Sequence, residues 1–295
     1  MVKKIVLFGA SGRVGSSIAA QMGSIAFTAA AREDDLLQLV SDARDTVLLV
    51  FSIPHLAVKE RLAELEARLE ELVCGDIIVL DCSGHVKQSI QDHWHILDGA
   101  SWAQYLSART LQRHRVHYIG NPGCMASTVI QAVRASGLSF TNSELSVTAV
   151  GGRSYGPATP AATETCHSQL RVARNWLTHH HVSEIERSLA TQGPAKVVSF
   201  MPLICSSLEH GLMITVSWRS EGCAEAVKVD DVPGVTRCDQ DLDVATVLGS
   251  PMLAMRTQTT PSVSGGVTIS VAAAIDNIDH VAMLAVASIR QVLES

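Results

Sequence analysis

The glycine-rich segment at the start of the chain constrains its fold more than any other feature. An apolar run of strand type at 3–8 is followed by Gly9-Ala10-Ser11-Gly12-Arg13-Val14-Gly15 and then by a segment of helical spacing at 16–22. A phosphate-binding βα turn needs this order, because glycine allows a tight turn, close approach of a pyrophosphate and close packing of the helix on the strand. The N-terminus of the helix then faces the anion. We therefore expect a dinucleotide to contact Gly9, Ser11, Gly12, Arg13 and Val14.

The segments that follow alternate between strands and helices. The sequence predicts strands at 46–53, 76–80 and 117–119, with a charged amphipathic helix at 57–73 after the first of them. This alternation is typical of a doubly wound parallel sheet, which binds ligands at the carboxyl ends of its strands. Ser83 follows one of these strands, so we expect it to contact the cofactor as well.

The residue after the predicted strand at 25–31 indicates which dinucleotide binds. An acidic residue there would hold the ribose 2′-hydroxyl of NAD, whereas Arg32 suits a 2′-phosphate. We therefore predict NADP(H) as the cofactor. Glu33 and Asp34 follow directly and weaken this prediction, and a simply solvated side chain is the alternative interpretation of Arg32.

A second turn places a cysteine at the start of a helix. Asn121-Pro122-Gly123 is turn chemistry, and the apolar positions that follow Cys124, at 125–135, have helical spacing. Unpaired N–H groups and the helix dipole at this position favour the thiolate, which is the nucleophilic form. The alternative is a buried structural cysteine.

The second half of the chain has a different pattern. Strands are predicted at 144–150, 196–200 and 212–218, and the last of them alternates with a period of two, as in an antiparallel sheet. We expect a helix near 183–186, with Ser183 as its N-cap, and a terminal helix at 277–293 that packs on the first domain. The predicted fold class is α/β, with a Rossmann-type doubly wound parallel sheet and an α+β catalytic domain whose sheet is mainly antiparallel.

Composition excludes several classes of function. The chain has 295 residues, 47% apolar residues and a formal net charge of −6, so we expect no nucleic-acid partner. No apolar run is long enough to cross a membrane, and the start of the chain does not resemble a signal peptide. The seven cysteines form no CxxC pair, which indicates reduced thiols in a cytoplasmic protein. Cys166 and His167 lack further ligands at suitable spacing, so no metal site is expected.

Three motifs together carry a resemblance to a known family. They are GASGRVG at 9–15, GNPGC at 120–124 and HHHVSEIE at 179–186. The chain resembles the N-acetyl-γ-glutamyl-phosphate reductases, within the wider aspartate-semialdehyde dehydrogenase-like group. The resemblance implies a discontinuous NADP-binding domain at 1–123 and 262–295, and a catalytic domain at 124–261 that also forms a homodimer or homotetramer.

The resemblance also implies the reaction and its residues. The activity would be the NADPH-dependent reduction of an acyl phosphate to its semialdehyde, through a thioester on Cys124. The acid/base group would be His181, because it lies closest to the predicted helix, with His179 as the next candidate. The remaining candidates would bind the substrate: Asn121, Arg153, Arg171, Arg174 and His210. For the arginines and for His210, a solvated surface role is the alternative.

Differences from the family motifs leave the substrate open. Met125 stands in place of an aromatic residue, Ser183 in place of proline, and the segment at 262–267 lacks the family's lysine. The substrate is then N-acetyl-γ-glutamyl phosphate or a related acyl phosphate, including one held on a carrier protein. An aspartate-semialdehyde dehydrogenase, a CoA-acylating aldehyde dehydrogenase and a non-catalytic NADP-binding regulator are the rival interpretations.

Overall fold

The chain divides into two compact units. The structure, a computed structural model, describes residues 2–41, 45–53, 68, 76–83, 116–140, 142–155, 170–172, 179–190, 193–220, 234–263 and 265–294. The first unit comprises Met1–Gly123 and Val281–Ser295, and the second comprises Cys124–His280. The helix predicted at 57–73 lies outside the described residues, apart from Arg68.

The first unit is built on a parallel sheet. Its elements are β1 (Val2–Phe8), α1 (Arg13–Gln21), β2 (Thr28–Ala30), α2 (Glu33–Ser41), β3 (Thr46–Phe51), β4 (Ile77–Asp81) and β5 (Val116–Gly120). The strand order is β2-β1-β3-β4-β5, and every described pair is parallel. The order reverses direction between β1 and β3, which is the point where such sheets bind ligands. The doubly wound parallel sheet predicted from the sequence is confirmed.

The apolar run of β3 is continuous because both faces of the sheet are covered. Leu48 and Val50 belong to a core cluster on one face, whereas Leu49 and Phe51 belong to a cluster on the other. The terminal helix α5 (Asn277–Glu294) contributes buried side chains to the first of these clusters, as the sequence predicted. These side chains are Ala282, Ala285, Val286, Ile289 and Val292.

The second unit contains a mixed sheet. Its further elements are α3 (Cys124–Ser136), β6 (Ser143–Gly151), β7 (Leu170–Val172), α4 (His180–Leu189), β8 (Ala195–Cys205), β9 (Leu212–Ser220), β10 (Val235–Arg237), β11 (Leu253–Pro261) and β12 (Val267–Ile275). The order is β10-β11-β12-β9-β6-β8-β7. Among the described strand pairs of this second sheet, only β6–β8 and β10–β11 are parallel, so the expected mainly antiparallel sheet is confirmed.

The C-terminal segment differs from the expected domain boundary. We expected residues 262–295 in the cofactor domain, but the chain returns to the first unit at Val281. The reason is β12, which was not predicted and which pairs with β9 on one side and β11 on the other. Between β11 and β12, a hydrogen bond of 3.0 Å joins Ser262 N to Gly266 O.

The cap of α4 also differs from the sequence prediction. Ser183 was expected as the N-cap, but it lies inside the helix and is exposed. The N-cap is His179, whose backbone is extended and whose ring Nδ1 accepts a hydrogen bond from the backbone N–H of His181. An imidazole nitrogen can therefore take the place of the hydroxyl that usually caps a helix.

Candidate active site

The glycine turn after β1 requires glycine at two positions. Gly9 has a φ of +89°, and a Cβ there would overlap the carbonyl oxygen of Ser52. A Cβ on Gly15 would overlap the carbonyl oxygen of Gly9, so this glycine allows α1 to pack against the turn. A hydrogen bond of 3.0 Å from Gly12 N to Gly9 O closes the turn.

The third glycine leaves the start of α1 open to an anion. Gly12 is the N-cap of α1, its backbone is extended, and no side chain caps the helix. The first N–H groups of α1, from Arg13 and Val14, are therefore available to a phosphate. Ser11 and Arg13 are exposed beside them. These residues fit the pyrophosphate of a dinucleotide.

The carboxyl edge of the first sheet brings the other predicted cofactor residue to the same place. Backbone hydrogen bonds continue the ladder from Ser52 N to Phe8 O and from Cys82 N to Phe51 O. The Oδ1 atom of the buried Asp81 accepts bonds from Ser83 N at 2.8 Å and from Ser83 Oγ at 2.6 Å. Asp81 was not chosen as a site residue, although its place two residues before Ser83 in the same loop could have indicated this turn.

Arg32 lies at this edge too, and its guanidinium has a partner. Phe8 and Ala30 are in register in the β1–β2 pair, so Arg32, two residues later, follows the strand next to the glycine turn. Its Nη2 atom lies 3.3 Å from Oδ1 of Asp35.

Asn121 is buried at the end of β5. Only 2% of its surface is exposed, and its Nδ2 donates to the carbonyl oxygen of Val281 at 3.2 Å. Its Oδ1 has no hydrogen-bond partner among the described residues. The side chain therefore anchors the turn that precedes Cys124 to helix α5.

Cys124 is the first residue of α3 and is partly exposed. Its carbonyl oxygen accepts hydrogen bonds from Ser127 Oγ at 3.0 Å and Thr128 Oγ1 at 2.6 Å, which fix the first turn of the helix. The next residue, Met125, is buried. Cys124 thus lies at a helix N-terminus and is not one of the buried residues of the core.

Two histidines and a carboxylate form a cluster at the start of α4. The Nδ1 atom of the buried His181 lies 3.0 Å from Oε2 of Glu184, which is also buried. The ring centroid of His179 lies 4.8 Å from that of His181 and 5.3 Å from that of the buried Phe200. The side chain of His180 lies outside the described residues.

The two rings of this cluster have different chemistry. Burial, with repulsion from His181 as a smaller cause, lowers the pKa of His179 to about 4, and Glu184 offsets this only in part. His179 is therefore neutral near pH 7. The Nδ1 atom of His181 faces the Glu184 carboxylate, which fixes the orientation of this ring. Glu184 was not predicted as a partner, although its place three residues after His181 could have indicated one.

The directions of α3 and α4 place the thiol and the imidazoles at the same end of the second unit. Each helix ends shortly before a strand begins, α3 before β6 and α4 before β8, and these strands are parallel neighbours. The helices pack on each other, and Arg134 Nη2 donates to Ser188 O at 2.8 Å near their C-terminal ends. Both helices therefore run opposite to β6 and β8. With a rise of about 1.5 Å per residue, Cys124 lies about 15 Å from Arg134 along the axis of α3, towards its N-terminus. His181 lies about 10 Å from Ser188 in the same sense along α4.

The loops that carry Arg153 and His210 lie side by side at the carboxyl end of β6. Gly152 N donates to Gly211 O and Arg153 N donates to Leu208 O, so the two loops are joined by their backbones. The guanidinium of Arg153 forms an exposed ion pair of 2.6 Å with Glu209. Two other predicted substrate residues were not placed: Arg171 is described only by its backbone in β7, and Arg174 lies outside the described residues.

A buried carboxylate supports His210. His210 Nε2 lies 3.7 Å from Oδ2 of Asp276, which also accepts a hydrogen bond from Gly249 N at 2.9 Å. Oδ1 of Asp276 accepts from Ile278 N at 2.9 Å and caps α5. Asp276 was not predicted as a site residue, and its position directly before the terminal helix indicates only the cap.

No described helix combines the length and the apolar character needed to span a membrane. Within the same residues, no three His, Cys, Asp or Glu side chains are grouped so that they could hold a metal ion.

A doubly wound parallel sheet in one unit and a mixed sheet in the other define a two-unit α/β fold. In particular, the chain has the fold of the aspartate-semialdehyde dehydrogenases. It is similar to a probable aspartate-semialdehyde dehydrogenase from Pseudomonas aeruginosa, with a TM-score of 0.68 and 14% identity over 100% of this chain and 99% of that one.

Two structures of aspartate-semialdehyde dehydrogenase II from Vibrio cholerae are similar as well. The one complexed with ASA has a TM-score of 0.68 and 13% identity over 100% of this chain and 99% of that one. The other has a TM-score of 0.64 and 15% identity, with coverages of 100% and 98%. At these identities the likeness is one of fold. No protein-family model and no curated protein matches the chain.

Proposed function

We propose that the chain is an NADPH-dependent oxidoreductase that reduces an acyl phosphate to its semialdehyde through a thioester on Cys124. One observation carries the proposal. The partly exposed residue Cys124 and the imidazole of His181, which faces a carboxylate, lie at the N-terminal ends of two helices that run in the same direction. The likeness in fold to semialdehyde dehydrogenases supports it.

The residues of the glycine turn fit the cofactor that the proposal needs. The uncapped N–H groups at the start of α1 would bind its pyrophosphate, and Ser83 and Arg32 would contact it at the same sheet edge. When bound, NADPH supplies the hydride that reduces the thioester.

Cys124 acts as the nucleophile. Its thiolate attacks the acyl carbon, a C–S bond forms, the C–O bond to phosphate breaks, and phosphate leaves with the electron pair. After reduction, the C–S bond of the hemithioacetal breaks, which returns the thiolate and releases the aldehyde. N–H groups of the first turn of α3 stabilise negative charge on the substrate oxygen.

His181 moves the proton in this scheme. It takes the thiol proton of Cys124 on Nε2, and the Glu184 carboxylate on Nδ1 fixes the ring and stabilises the imidazolium. His179 suits the role less well, because a pKa of about 4 makes it a weak proton acceptor and its Nδ1 already accepts the N–H of His181.

The substrate is proposed to be N-acetyl-γ-glutamyl phosphate or a related acyl phosphate, including a carrier-bound one. Arg153 and His210, together with Arg171 and Arg174, would bind its anionic groups. We also expected Asn121 to bind the substrate. Its bond to Val281 O would instead fix the turn that positions Cys124. The proposal includes a cytoplasmic homodimer or homotetramer.

Aspartyl phosphate is the second candidate substrate, because the similar structures are aspartate-semialdehyde dehydrogenases. A substrate panel separates the candidates: N-acetyl-γ-glutamyl phosphate, aspartyl phosphate and an acyl-CoA, each with NADPH. Turnover with the acyl-CoA alone would indicate a CoA-acylating enzyme. NADPH binding without turnover on any of them would indicate a regulator.

The decisive experiment detects the thioester. The protein is incubated with each acyl phosphate without cofactor, its intact mass is measured, and the acylated peptide is mapped. We expect one acyl group on Cys124 and none in Cys124→Ala, which should still bind NADPH. Cys205 is the matched control, because a hydrogen bond from Ser207 lowers its thiol pKa and makes it the competing reactive cysteine. An adduct on Cys205 alone would contradict the proposal.

A further inference from the structure

Asp35 holds Arg32 at three points in the first turn of α2. Its Oδ2 accepts the backbone N–H of Arg32 at 3.2 Å and lies 3.4 Å from Nε, and its Oδ1 lies 3.3 Å from Nη2. The backbone contact is the return half of a capping box, in which the third helical residue satisfies the N–H of the N-cap. One carboxylate thus caps the helix and occupies the guanidinium.

The position of this pair connects it to the glycine turn. Ala30 at the end of β2 is in register with Phe8 at the end of β1, so Arg32 and Gly9 follow neighbouring strands at the same edge. In addition to Asp35, the first turn of α2 carries Glu33 and Asp34, so one positive and three negative side chains follow β2. The excess of negative charge disfavours the 2′-phosphate of NADPH and tolerates the ribose 2′-hydroxyl of NADH.

We propose that Asp35 sets the selectivity between NADPH and NADH by competing with the cofactor's 2′-phosphate for Arg32. This inference rests on the proposed dinucleotide site. A 2′-phosphate must displace the Asp35 carboxylate from the guanidinium or share it, whereas a 2′-hydroxyl leaves the pair intact. The native chain therefore binds NADPH less selectively than its arginine alone would allow.

The expected effect is modest because the pair is exposed. The side chains of Arg32 and Asp35 are 81% and 38% exposed, and ion pairs in such surroundings are weak and screened by salt. Asp35→Asn keeps an oxygen for the helix cap and removes the charge. We expect the dissociation constant of NADPH to fall about threefold to fivefold in this variant, and that of NADH to stay unchanged.

The test measures binding and needs no turnover. Quenching of protein fluorescence gives dissociation constants for NADPH, NADH and 2′,5′-ADP at low and at high salt. Asp34→Asn is the matched control. It removes the same charge from the neighbouring residue, whose carboxylate makes no bond to Arg32. Asp35→Asn combined with Arg32→Gln tests whether the gain needs the arginine.

The outcomes separate the inference from the proposed function. The role of Asp35 is supported if Asp35→Asn binds NADPH and 2′,5′-ADP more tightly than the native chain but binds NADH equally well. This gain in affinity must be larger than in Asp34→Asn, smaller at high salt and lost in the double variant. Equal gains in Asp34→Asn, or a gain that survives without Arg32, overturn it while the cofactor site stands. If neither dinucleotide binds the native chain, the cofactor assignment fails and the inference fails with it.

Discussion

At the scale of single residues, the cluster at the start of α4 separates two histidines that the sequence alone could not. The carboxylate of Glu184 lies 3.0 Å from Nδ1 of His181, whereas His179 caps the helix and has a pKa lowered to about 4. In the proposed mechanism, replacing His181 removes the proton acceptor. We expect His181→Gln to lower kcat about a hundredfold to ten-thousandfold, with NADPH affinity retained, in steady-state assays with an acyl phosphate.

His179→Gln is the control for that prediction. It removes a ring 4.8 Å away whose pKa of about 4 makes it a weak proton acceptor, so its effect on kcat should be much smaller. A loss of kcat in His179→Gln as large as in His181→Gln would show that the wrong imidazole has been assigned.

Glu184 gives a second test at this scale. Its carboxylate fixes the ring of His181, so Glu184→Gln leaves the imidazole in place but weakens its orientation and its charged form. We expect kcat to fall about tenfold or more with little change in KM. Glu186→Gln is the control, because its carboxylate accepts the backbone N–H of Val197 at 2.8 Å and makes no bond to His181. Equal losses in both variants would indicate a structural role for Glu184.

The sequence indicated the candidate reactive side chains better than the side chains that contact them. Cys124 could be chosen because its turn and helix are encoded locally, and the structure describes it as partly exposed at the start of α3. Asp276 could not be connected with His210, because that contact joins a loop to a helix start 66 residues later in the chain. Side-chain partners of this kind depend on tertiary packing, which periodicity does not contain.

At the scale of elements, a strand could be predicted where its apolar pattern is regular. β3 and β9 were predicted because one is continuously apolar and the other alternates. β11 was missed because its exposed residues from Arg256 to Pro261 are mostly polar, and the alanines of β12 resemble a helix as much as a strand. Pairing with β9 decides the state of β12, and this neighbour is remote in sequence.

The glycine turn allows a prediction that separates folding from binding. A Cβ at Gly15 would overlap the carbonyl oxygen of Gly9, whereas a Cβ at Gly12 would lie 3.3 Å from the same oxygen. We expect Gly15→Ala to destabilise the first unit by about 1–3 kcal/mol, because backbone atoms must move. Gly12→Ala should change stability little but weaken NADPH binding, because the methyl group projects at the uncapped start of α1. Thermal unfolding and fluorescence titration measure the two effects, and an equal loss of stability in both variants would contradict this division.

At the scale of the whole molecule, the chain passes between its two units after Gly123 and again after His280. The second passage lies within α5, whose first turn belongs to the second unit and whose remainder completes the core of the first. Asn121 joins the two passages on the side of the first unit through its bond to Val281 O. Within the first unit, this bond joins the end of the segment that comes before Cys124 to the start of the segment that follows His280.

Stability against acid should depend on His280, which is fully buried beside the second passage. Burial lowers its pKa to about 4, offset in part by the carbonyl oxygen of Pro251, to which Nδ1 donates at 2.8 Å. Because the unfolded chain binds this proton below about pH 6.5 and the native protein only near pH 4, stability is full above pH 6.5 and falls as the pH decreases between these values. At pH 5 the loss from this group is about 2 kcal/mol. The pKa of His179 is lowered in the same way, with a smaller effect on stability because this residue is partly exposed.

Urea unfolding from pH 5 to 7.5 measures how steeply the stability depends on pH. His280→Asn, which keeps a donor for Pro251, should be less stable near neutral pH but show a flatter dependence, and an unchanged slope in that variant would assign the acid sensitivity to other groups.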